Sequence, residues 1–278
     1  MKLELSDIYI PITSAPFRNN SEYCEIEPCE ALKPYIRCFW GTPDDPNASP
    51  PVGNYDIVIP DTCMDIIYSV NREKRCVESV FCALDERPAK LTERECFPGN
   101  NIFAIRFYVW SAALFSEDTF AGSKNGRYPA DAFFYSLTKK LKPVLLEKKS
   151  LSEIIQDTER ILFGLIRAEN INNDFMNALY RIISMNGNAK ISDLTSYAAV
   201  SEKTLERLFA TNAGVSPKTL CTLIRYQMLW RDILLDGSFN ALDAVEKYGY
   251  FDQAHMLNDF RRRHLMNPTE AVLYAHTR

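Results

Sequence analysis

The sequence predicts an α+β fold, with a β-rich N-terminal domain over residues 1–170 and an all-α C-terminal domain over residues 171–278. Three observations predict it. Short β-branched and aromatic runs fill roughly the first 120 residues. Helical periodicity replaces them from about residue 129. Near the C-terminus, two segments 51 residues apart repeat one pattern of cap, apolar positions and proline, which indicates two helix-turn-helix motifs.

The N-terminal strands are predicted from local composition. The runs 57–59, 65–70 and 102–109 are rich in β-branched and aromatic residues, which favour pleated, half-buried strands. Proline, glycine and asparagine clusters such as 49–54 lie between them and are typical of turns. Many short strands with proline-rich turns favour a sandwich or a small barrel.

Two helices are predicted to close the N-terminal domain. The first covers 129–141 and has Pro129 in its first turn. The second carries an apolar stripe at 151–165, formed by Leu151, Ile154, Thr158, Ile161, Leu162 and Leu165. The stripe has two interpretations: it packs on its own domain, or it joins two subunits of a homodimer. The polar segment 168–173 marks the junction with the C-terminal domain.

Seven helices are predicted in the C-terminal domain. The first starts at the cap Asp174 and ends at the Asn186-Gly187 stop. The others cover about 191–199, 201–210, 217–235, 241–248, 252–263 and 268–275. Pro217 and Pro268 each follow a good capping residue, as expected for the first turn of a helix.

The repeated pattern predicts which residues of the two motifs correspond. In each motif, the second helix is the one expected to lie in the major groove of DNA. The predicted pairs in and after that helix are Ser201/Asp252, Leu205/Met256, Phe209/Phe260 and Pro217/Pro268. The predicted pairs in the leading helix are Leu194/Val245 and Tyr197/Tyr248.

Helical periodicity then selects the residues that would contact DNA. An arginine suits guanine, glutamine and asparagine suit adenine, and alanine suits the thymine methyl group. The predicted base-reading residues are Lys203, Thr204, Glu206, Arg207, Gln253, Ala254, His255 and Asn258. The predicted phosphate contacts are Ser201, Lys218, Arg261, Arg262 and Arg263.

The helix predicted over 217–235 supplies the spacing between the two motifs. Its 19 residues span roughly 28 Å at 1.5 Å per residue. One turn of DNA is about 34 Å. A rod of that length is suited to hold two recognition helices in successive major grooves.

Composition and charge restrict the function classes. The net charge is −4, but residues 172–278 hold 12 Lys and Arg against 11 Asp and Glu. This nearly neutral region is only weak support for nucleic-acid binding. We expect no export signal and no membrane span, so that the eight cysteines are reduced in the cytoplasm. They are interpreted as buried small hydrophobes, with a thiol sensor as the alternative.

Histidine usage argues against an enzyme. All three histidines lie at 255, 264 and 276, so the first 254 residues lack the usual general base and the commonest metal ligand. We therefore predict no catalytic residues, no metal site and no cofactor. Only cysteine chemistry or carboxylate pairs would remain for catalysis.

At these motifs the sequence resembles the AraC/XylS family of bacterial transcription regulators. The resemblance covers about 175–276 and includes Ser-x-x-x-Leu-x-Arg-x-Phe at 201–209, Gly214-Val-Ser-Pro217 and Arg225. It continues through Leu234-Leu235, Gly249-Tyr250, Phe260-Arg-Arg and Asn267-Pro268. The resemblance implies a monomeric two-headed DNA-binding unit joined to a variable regulatory domain.

Several residues depart from the family pattern. Thr195 and Glu246 stand where a small alanine usually follows the apolar residue of each leading helix. Asn258 stands where arginine is common, and Leu265 replaces the glycine that ends the second recognition helix. These departures leave an alternative open: an effector- or protein-binding module with degenerate DNA-binding heads.

The N-terminal half has fainter similarities to one branch of these regulators, in 34–40, 58–67 and 104–107. They imply a cupin-like β-barrel whose effector pocket includes Trp40, Asp61 and Arg106. The alternative gives these three residues structural roles, in the core, in a turn and beside a buried carboxylate. The predicted partners are double-stranded DNA, a small-molecule effector, RNA polymerase and a second copy bound through 151–165. We expect an activator that acts in the cytoplasm at the nucleoid, and no membrane partner.

Overall fold

Strands and helices segregate along the chain as the sequence predicts. The computed structural model describes residues 4–17, 23–42, 56–91, 101–147, 150–235 and 239–277. Its strands are β1 (Cys24–Ile26), β2 (Ile36–Gly41), β3 (Asp56–Val58), β4 (Cys63–Asn71), β5 (Cys76–Cys82), β6 (Ala89–Leu91), β7 (Asn101–Tyr108) and β8 (Arg127–Pro129). The turn cluster predicted at 49–54 lies outside the described residues.

The described strands form two antiparallel sheets. The larger has six strands in the order β1-β2-β7-β4-β5-β8, and the smaller pairs β3 with β6. Strand β7 pairs antiparallel with β2 on one side and with β4 on the other, although it follows both of them in the chain. A cupin-like closure of these sheets stays a prediction.

One face of the large sheet is apolar. Phe39, Ile105, Ile66 and Phe81 lie side by side on β2, β7, β4 and β5, and all four are fully buried. Since successive side chains of a strand point to opposite faces, these residues define the side that holds the main core.

The adjacent register row belongs to the opposite face and is polar. It runs Cys38, Arg106, Asp65, Cys82 and Arg127 across β2, β7, β4, β5 and β8. A buried arginine in such a row needs neighbouring negative charge, because desolvation of an unpaired charge is costly. The row therefore places Arg106 directly beside Asp65.

The helices are α1 (Leu5–Ile8), α2 (Tyr135–Leu146), α3 (Leu151–Phe163), α4 (Asn173–Ser184), α5 (Ile191–Ala198), α6 (Glu202–Ala213), α7 (Pro217–Leu235), α8 (Ala241–Tyr248), α9 (Gln253–His264) and α10 (Pro268–Thr277). Together with the strands they confirm the α+β class. Two predicted helix starts are wrong. Pro129 ends β8, and α2 starts six residues later at Tyr135. The cap of α4 is Asn172 rather than Asp174, since the Asn172 side chain accepts the Phe175 N–H.

The stripe on α3 belongs to the core of its own chain. Ile154, Thr158 and Leu162 are buried, and the half-buried Leu151, Ile161 and Leu165 pack against the same core. Apolar side chains already covered within the chain cannot also cover a second copy. The prediction of a homodimer seam through 151–165 is therefore wrong, and the alternative interpretation of this stripe is correct.

The C-terminal helices pack around α7. Leu220, Leu223 and Ile224 of α7 lie in the core that continues into the N-terminal sheet. Leu229 and Trp230, further along α7, lie in a second core with α8, α9 and α10. A helix that is apolar on most sides is expected at the centre of a bundle. In the described part of the chain, no helix combines the length and apolar character needed to cross a membrane.

Candidate nucleic-acid interface

Two helix-turn-helix units are built from matching caps. We call α5 to α6 the first head and α8 to α9 the second head. Ser201 accepts the Thr204 N–H at 3.2 Å, and Asp252 accepts the His255 N–H at 2.7 Å. These bonds satisfy N–H groups that the first turn of a helix leaves without a partner. Both recognition helices therefore begin at the residues that the repeat predicts.

The two turns differ by one residue, which corrects part of the predicted correspondence. The buried residues of the leading helices are Leu194 and Ala198 in α5, and Ala244 and Tyr248 in α8. Corresponding residues of the two leading helices are therefore 50 positions apart in the sequence, whereas those of the two recognition helices are 51 positions apart. The predicted pairs Leu194/Val245 and Tyr197/Tyr248 are therefore wrong: Tyr197 is 48% exposed, whereas Tyr248 is buried. By the same shift, Val245 rather than Glu246 occupies the place of Thr195.

On the first recognition helix, the buried side is formed by Leu205, Leu208 and Phe209. The outer side carries the predicted base-reading residues: Lys203, Glu206 and Arg207 are exposed, and Thr204 is half-buried. The structure thus brings the four predicted residues of this helix to one accessible region.

On the second recognition helix, Met256 and Phe260 are buried. Gln253, Ala254, His255 and Asn258 are exposed, and the first three belong to its first turn. Sequence analysis missed Phe251, which is 89% exposed in the turn just before this helix. A bulky apolar residue beside a predicted cap was the available signal.

Four of the five predicted phosphate contacts are exposed: Ser201, Lys218, Arg261 and Arg262. Arg263 is not, and its prediction is wrong for this structure. It is 5% exposed, and its Nε donates to Asp259 Oδ1 at 3.3 Å. Its Nη1 also lies 3.5 Å from the Glu86 carbonyl oxygen. Burial alone would raise the pKa of Asp259, but Arg263 and then Arg262 hold that pKa below its ordinary value.

Three contacts fix the two heads relative to α7 and to each other. The Arg225 guanidinium lies 4.4 Å from the centroid of the Tyr250 ring. Gly187, at φ +75°, packs so closely on α7 that a Cβ at this position would lie 2.4 Å from the Arg225 backbone nitrogen. A Cβ at Gly249, which has φ +64°, would lie 2.2 Å from the Asn188 side chain. Glycine is required at position 187, where the close atoms belong to the α7 backbone, whereas at position 249 it avoids the cost of a positive φ and lets the Asn188 side chain approach. These contacts hold the two heads at a defined spacing.

The N-terminal region contacts the first head. The Phe120 N–H donates to the Thr211 carbonyl oxygen at 3.0 Å. An open cleft of about 440 Å³ lies beside this contact, lined on one side by Arg207 and Asn212 and on the other by Glu117 and Asp118. One end of the predicted base-reading surface therefore borders acidic groups of the N-terminal region.

The N-terminal region also contacts the second core. Gln227 of α7 binds the backbone of Ile12 and Pro60, and the Trp230 indole N–H donates to the Thr13 carbonyl oxygen at 3.1 Å. The Ile57 N–H donates to the Tyr274 hydroxyl oxygen at 3.1 Å. These long-range contacts join the N-terminal region to α7 and α10.

The three residues predicted for an effector pocket meet on the polar face of the sheet. Arg106 donates from Nε to Asp65 at 3.0 Å, lies 3.6 Å from Asp61, and has its guanidinium 5.8 Å from the centroid of a Trp40 ring. The Trp40 indole N–H also donates to Asp65, at 2.9 Å. Burial would lower the pKa of Arg106, but Asp65 and then Asp61 raise it well above its ordinary value. Arg106 is thus held as a cation by its neighbours.

Asp61 also has a structural role. Asp61 accepts the Cys63 N–H at 3.0 Å and so stabilises a turn in which Thr62 has φ +59°. Burial raises the pKa of Asp61, with Arg106 opposing the shift. The geometry is that of a self-neutralising buried cluster, and an effector site at these residues stays a proposal.

Three cysteines of the sheet, Cys38, Cys63 and Cys82, are poorly suited to react. Burial raises the pKa of Cys38 and Cys82 to about 12, and that of Cys63 well above its ordinary value. A thiol with a raised pKa is a poor nucleophile, which favours the structural interpretation over a sensor at these positions. No cluster of three or more His, Cys, Asp or Glu residues suited to a metal ion occurs among the described residues. Cys96 lies outside them.

Comparisons with known proteins give two family matches. A family described as a helix-turn-helix domain matches residues 194–272, which span both heads. A family described as a domain of unknown function (DUF6597) matches residues 24–122, which cover most of the large sheet. The search of curated proteins gives no match.

Solved structures of ToxT from Vibrio cholerae are similar at low scores. The 1.65 Å structure has a TM-score of 0.41 and 10% identity, and the match covers 80% of this chain and 96% of that one. A ToxT structure bound to (E)-4-(8-methylnaphthalen-1-yl)but-3-enoic acid has a TM-score of 0.42 and 11% identity, covering 81% and 96%. ToxT bound to an unsaturated fatty acid has a TM-score of 0.41 and 10% identity, covering 92% and 97%.

Proposed function

We propose that this chain is a transcription regulator of the AraC/XylS family and that it reads two successive major grooves of one operator; the match of residues 194–272 to a helix-turn-helix family supports the proposal. The first groove is read by α6 through Lys203, Thr204, Glu206 and Arg207. The second is read by α9 through Gln253, Ala254, His255 and Asn258. Ser201, Lys218, Arg261 and Arg262 contact the phosphates on either side.

One observation carries this proposal: two capped helices with exposed polar faces are fixed to the same connecting helix. The 19 residues of α7 span roughly 28 Å, close to the rise of one DNA turn. Arg225 over Tyr250 and the close approach of Gly187 to α7 restrict movement between the heads. A degenerate module would not need exposed polar groups on both recognition helices at once.

We place the division of the chain between residues 1–170 and 171–278, and assign regulation to the first part. The contacts of Phe120 with Thr211 and of Gln227 with Ile12 support this assignment, because they link the N-terminal region to the first recognition helix and to the helix that connects the two heads. The proposed effector site is the cluster of Trp40, Asp61 and Arg106. A Trp40→Phe variant tests it, since this variant should lose effector-dependent stabilisation in a thermal-shift screen of small molecules while it still binds DNA.

Selection of bound genomic fragments by the full chain, repeated across a salt series, tests the main proposal. We expect enriched fragments with two short motifs about 10 base pairs apart from centre to centre. Affinity should fall as salt rises, while preference for the enriched sequence persists. A chain that shows no sequence preference at any salt concentration supports the degenerate module instead.

Arg207→Ala assigns one reading position within the selected site. We expect a loss of about 1–3 kcal/mol of specific affinity and relaxed preference at one base pair, because arginine pairs bidentately with guanine. The matched control is Arg160→Ala, which removes an exposed arginine from α3 of the N-terminal domain. Unchanged discrimination at every base would remove Arg207 from the reading set.

The remaining partners belong to the same proposal. We propose RNA polymerase as the partner of an activator, and the cytoplasm, at the nucleoid, as its location. Self-association has no assigned surface now that the 151–165 stripe is placed in the core, and sedimentation of the full chain tests it. That the chain catalyses no reaction stays a prediction, made from the scarcity of histidine.

A further inference from the structure

The turn of the second head contains one residue that has no counterpart in the first. Ala199 and Gly249 end the leading helices, both in the left-handed region at φ +54° and +64°. Ser201 and Asp252 cap the recognition helices. Between these points, the first head has Val200 alone.

The second head has Tyr250 and Phe251 at that place. Tyr250 is buried and its hydroxyl donates to Asp259 Oδ2 at 3.1 Å, so it packs inward as the half-buried Val200 does. Phe251 is the additional residue.

Phe251 has no packing role that accounts for it. An apolar residue just before a helix cap commonly packs on the residue four positions into the helix, here Met256. Met256 is buried in the second core, whereas Phe251 is 89% exposed. Single exposed apolar side chains are ordinary on protein surfaces. Phe251 differs from the other exposed apolar side chains of this chain because it lies at the tip of a recognition helix.

The turn holds Phe251 in a defined place. Its N–H lies 3.4 Å from His255 Nδ1, and the His255 ring meets the Tyr250 ring edge to face at 5.4 Å. Tyr250 is held in turn by Arg225. Phe251 is thus presented next to Gln253 and Ala254, at the end of α9 that a helix-turn-helix directs at the base edges.

We infer that Phe251 contacts the methyl group of a thymine in the half-site read by the second head. The thymine C5-methyl is the apolar group on base edges in the major groove, and phenylalanine is among the side chains that contact it. The inference rests on the proposed function, because it presumes that α9 lies in that groove. It makes Phe251 a specificity-determining residue and gives the second head a preference that the first head lacks.

Uracil scanning tests this contact. On the fragment selected by the full chain, each thymine of the second half-site is replaced in turn by deoxyuridine, which removes the methyl group alone. We expect wild-type affinity to fall roughly fourfold at one thymine, the effect of one buried methyl. Phe251→Ala should bind more weakly overall and show no further loss at that base pair. If Ala254 contacts the methyl group of another thymine, the loss of affinity on uracil substitution at that thymine should persist in Phe251→Ala.

Two further variants make the result decisive. Phe251→Leu keeps an apolar side chain and should retain part of the uracil effect. Leu273→Ala removes an exposed apolar residue from α10 and should retain all of it. Thermal melting checks that each variant stays folded, as expected for changes at exposed side chains.

Equal uracil sensitivity in wild type and Phe251→Ala would overturn the inference. So would wild-type binding that is insensitive to uracil at every thymine, although the proposed function would then stand. A chain that prefers no sequence at all would overturn the proposed function and this inference together.

Discussion

The side-chain amide of Gln227 binds both backbone polar groups of Ile12. The Ile12 N–H donates to Gln227 Oε1 at 2.8 Å, and Gln227 Nε2 donates to the Ile12 carbonyl oxygen at 3.1 Å. The same Nε2 donates to the Pro60 carbonyl oxygen at 2.7 Å. Gln227 is 2% exposed, so one side chain on the connecting helix satisfies three backbone groups of the N-terminal region away from water.

Gln227→Leu should therefore destabilise the chain by about 2–4 kcal/mol, since it leaves buried backbone groups without partners. Denaturant unfolding of the full chain measures the change. Gln156→Leu on the exposed side of α3 is the matched control and should have little effect. If the Gln227 variant unfolds at the same denaturant concentration as the wild type, the contact between the N-terminal region and α7 is not formed in solution.

The second recognition helix ends under backbone strain. Leu265 has φ +62°, a region that costs a residue with a side chain about 1–2 kcal/mol, and the first head has Gly214 at the same place. Leu265→Gly should stabilise the chain by about 0.5–1 kcal/mol, because glycine loses more chain entropy on folding and so offsets part of the relief.

The reciprocal change is the control for this prediction. Gly214→Leu should destabilise strongly, since a Cβ there would lie 2.8 Å from the Phe120 carbonyl oxygen and 2.6 Å from Ser123 Oγ. Thermal melting of both variants measures the two effects. A lower melting temperature for Leu265→Gly would mean that packing of the half-exposed leucine outweighs the strain.

Local signals predicted the C-terminal helices well. Caps such as Ser201 and Asp252 and prolines such as Pro217 and Pro268 act through neighbouring backbone, so α7 and α8 have the predicted bounds. The same signals misplaced the start of α2. Pro129 is also compatible with the end of a strand, and the pairing of Val80 with Pro129 is not visible in the local sequence.

The two errors at the candidate site have different causes. Three consecutive arginines at 261–263 read alike in sequence, but a helix distributes them over different sides. Arg263 lies seven residues after the buried Met256 and four after Asp259, a spacing that does indicate the inner side. The extra turn residue could not be found by a search for one fixed offset, and so Phe251 was missed.

The arginines of α9 should separate by function. Arg261→Ala should weaken binding to all sequences. It should also reduce the slope of log affinity against log salt concentration by about 0.9, the contribution of one phosphate contact. Arg263→Ala should instead destabilise the fold, because Asp259 keeps a buried charge with a weaker set of partners. DNA titrations across a salt series and denaturant unfolding measure the two effects. A flatter salt slope with unchanged stability for Arg263→Ala would restore its assignment to the phosphates.

The last prediction concerns acid stability, and it depends on His264. This residue is fully buried among aromatic rings, stacked on Phe260 at 4.9 Å, and its Nδ1 lies 2.8 Å from the Tyr226 hydroxyl oxygen. Among the described residues its Nε2 has no hydrogen-bond partner. Burial lowers the pKa of His264 from 6.5 to about 3, so the folded chain keeps this ring neutral well into acid.

The sign follows from proton binding. Below its ordinary pKa the unfolded chain protonates His264 while the folded chain does not, so stability falls as the pH falls towards the lowered pKa. From about pH 7 to about pH 5 this loss amounts to about 2 kcal/mol. Denaturant unfolding across that interval should show it in the wild type and in His276→Gln, which changes an exposed histidine. His264→Gln should be less stable at neutral pH but should lose most of the slope, and an unchanged slope in that variant would exclude His264 as its source.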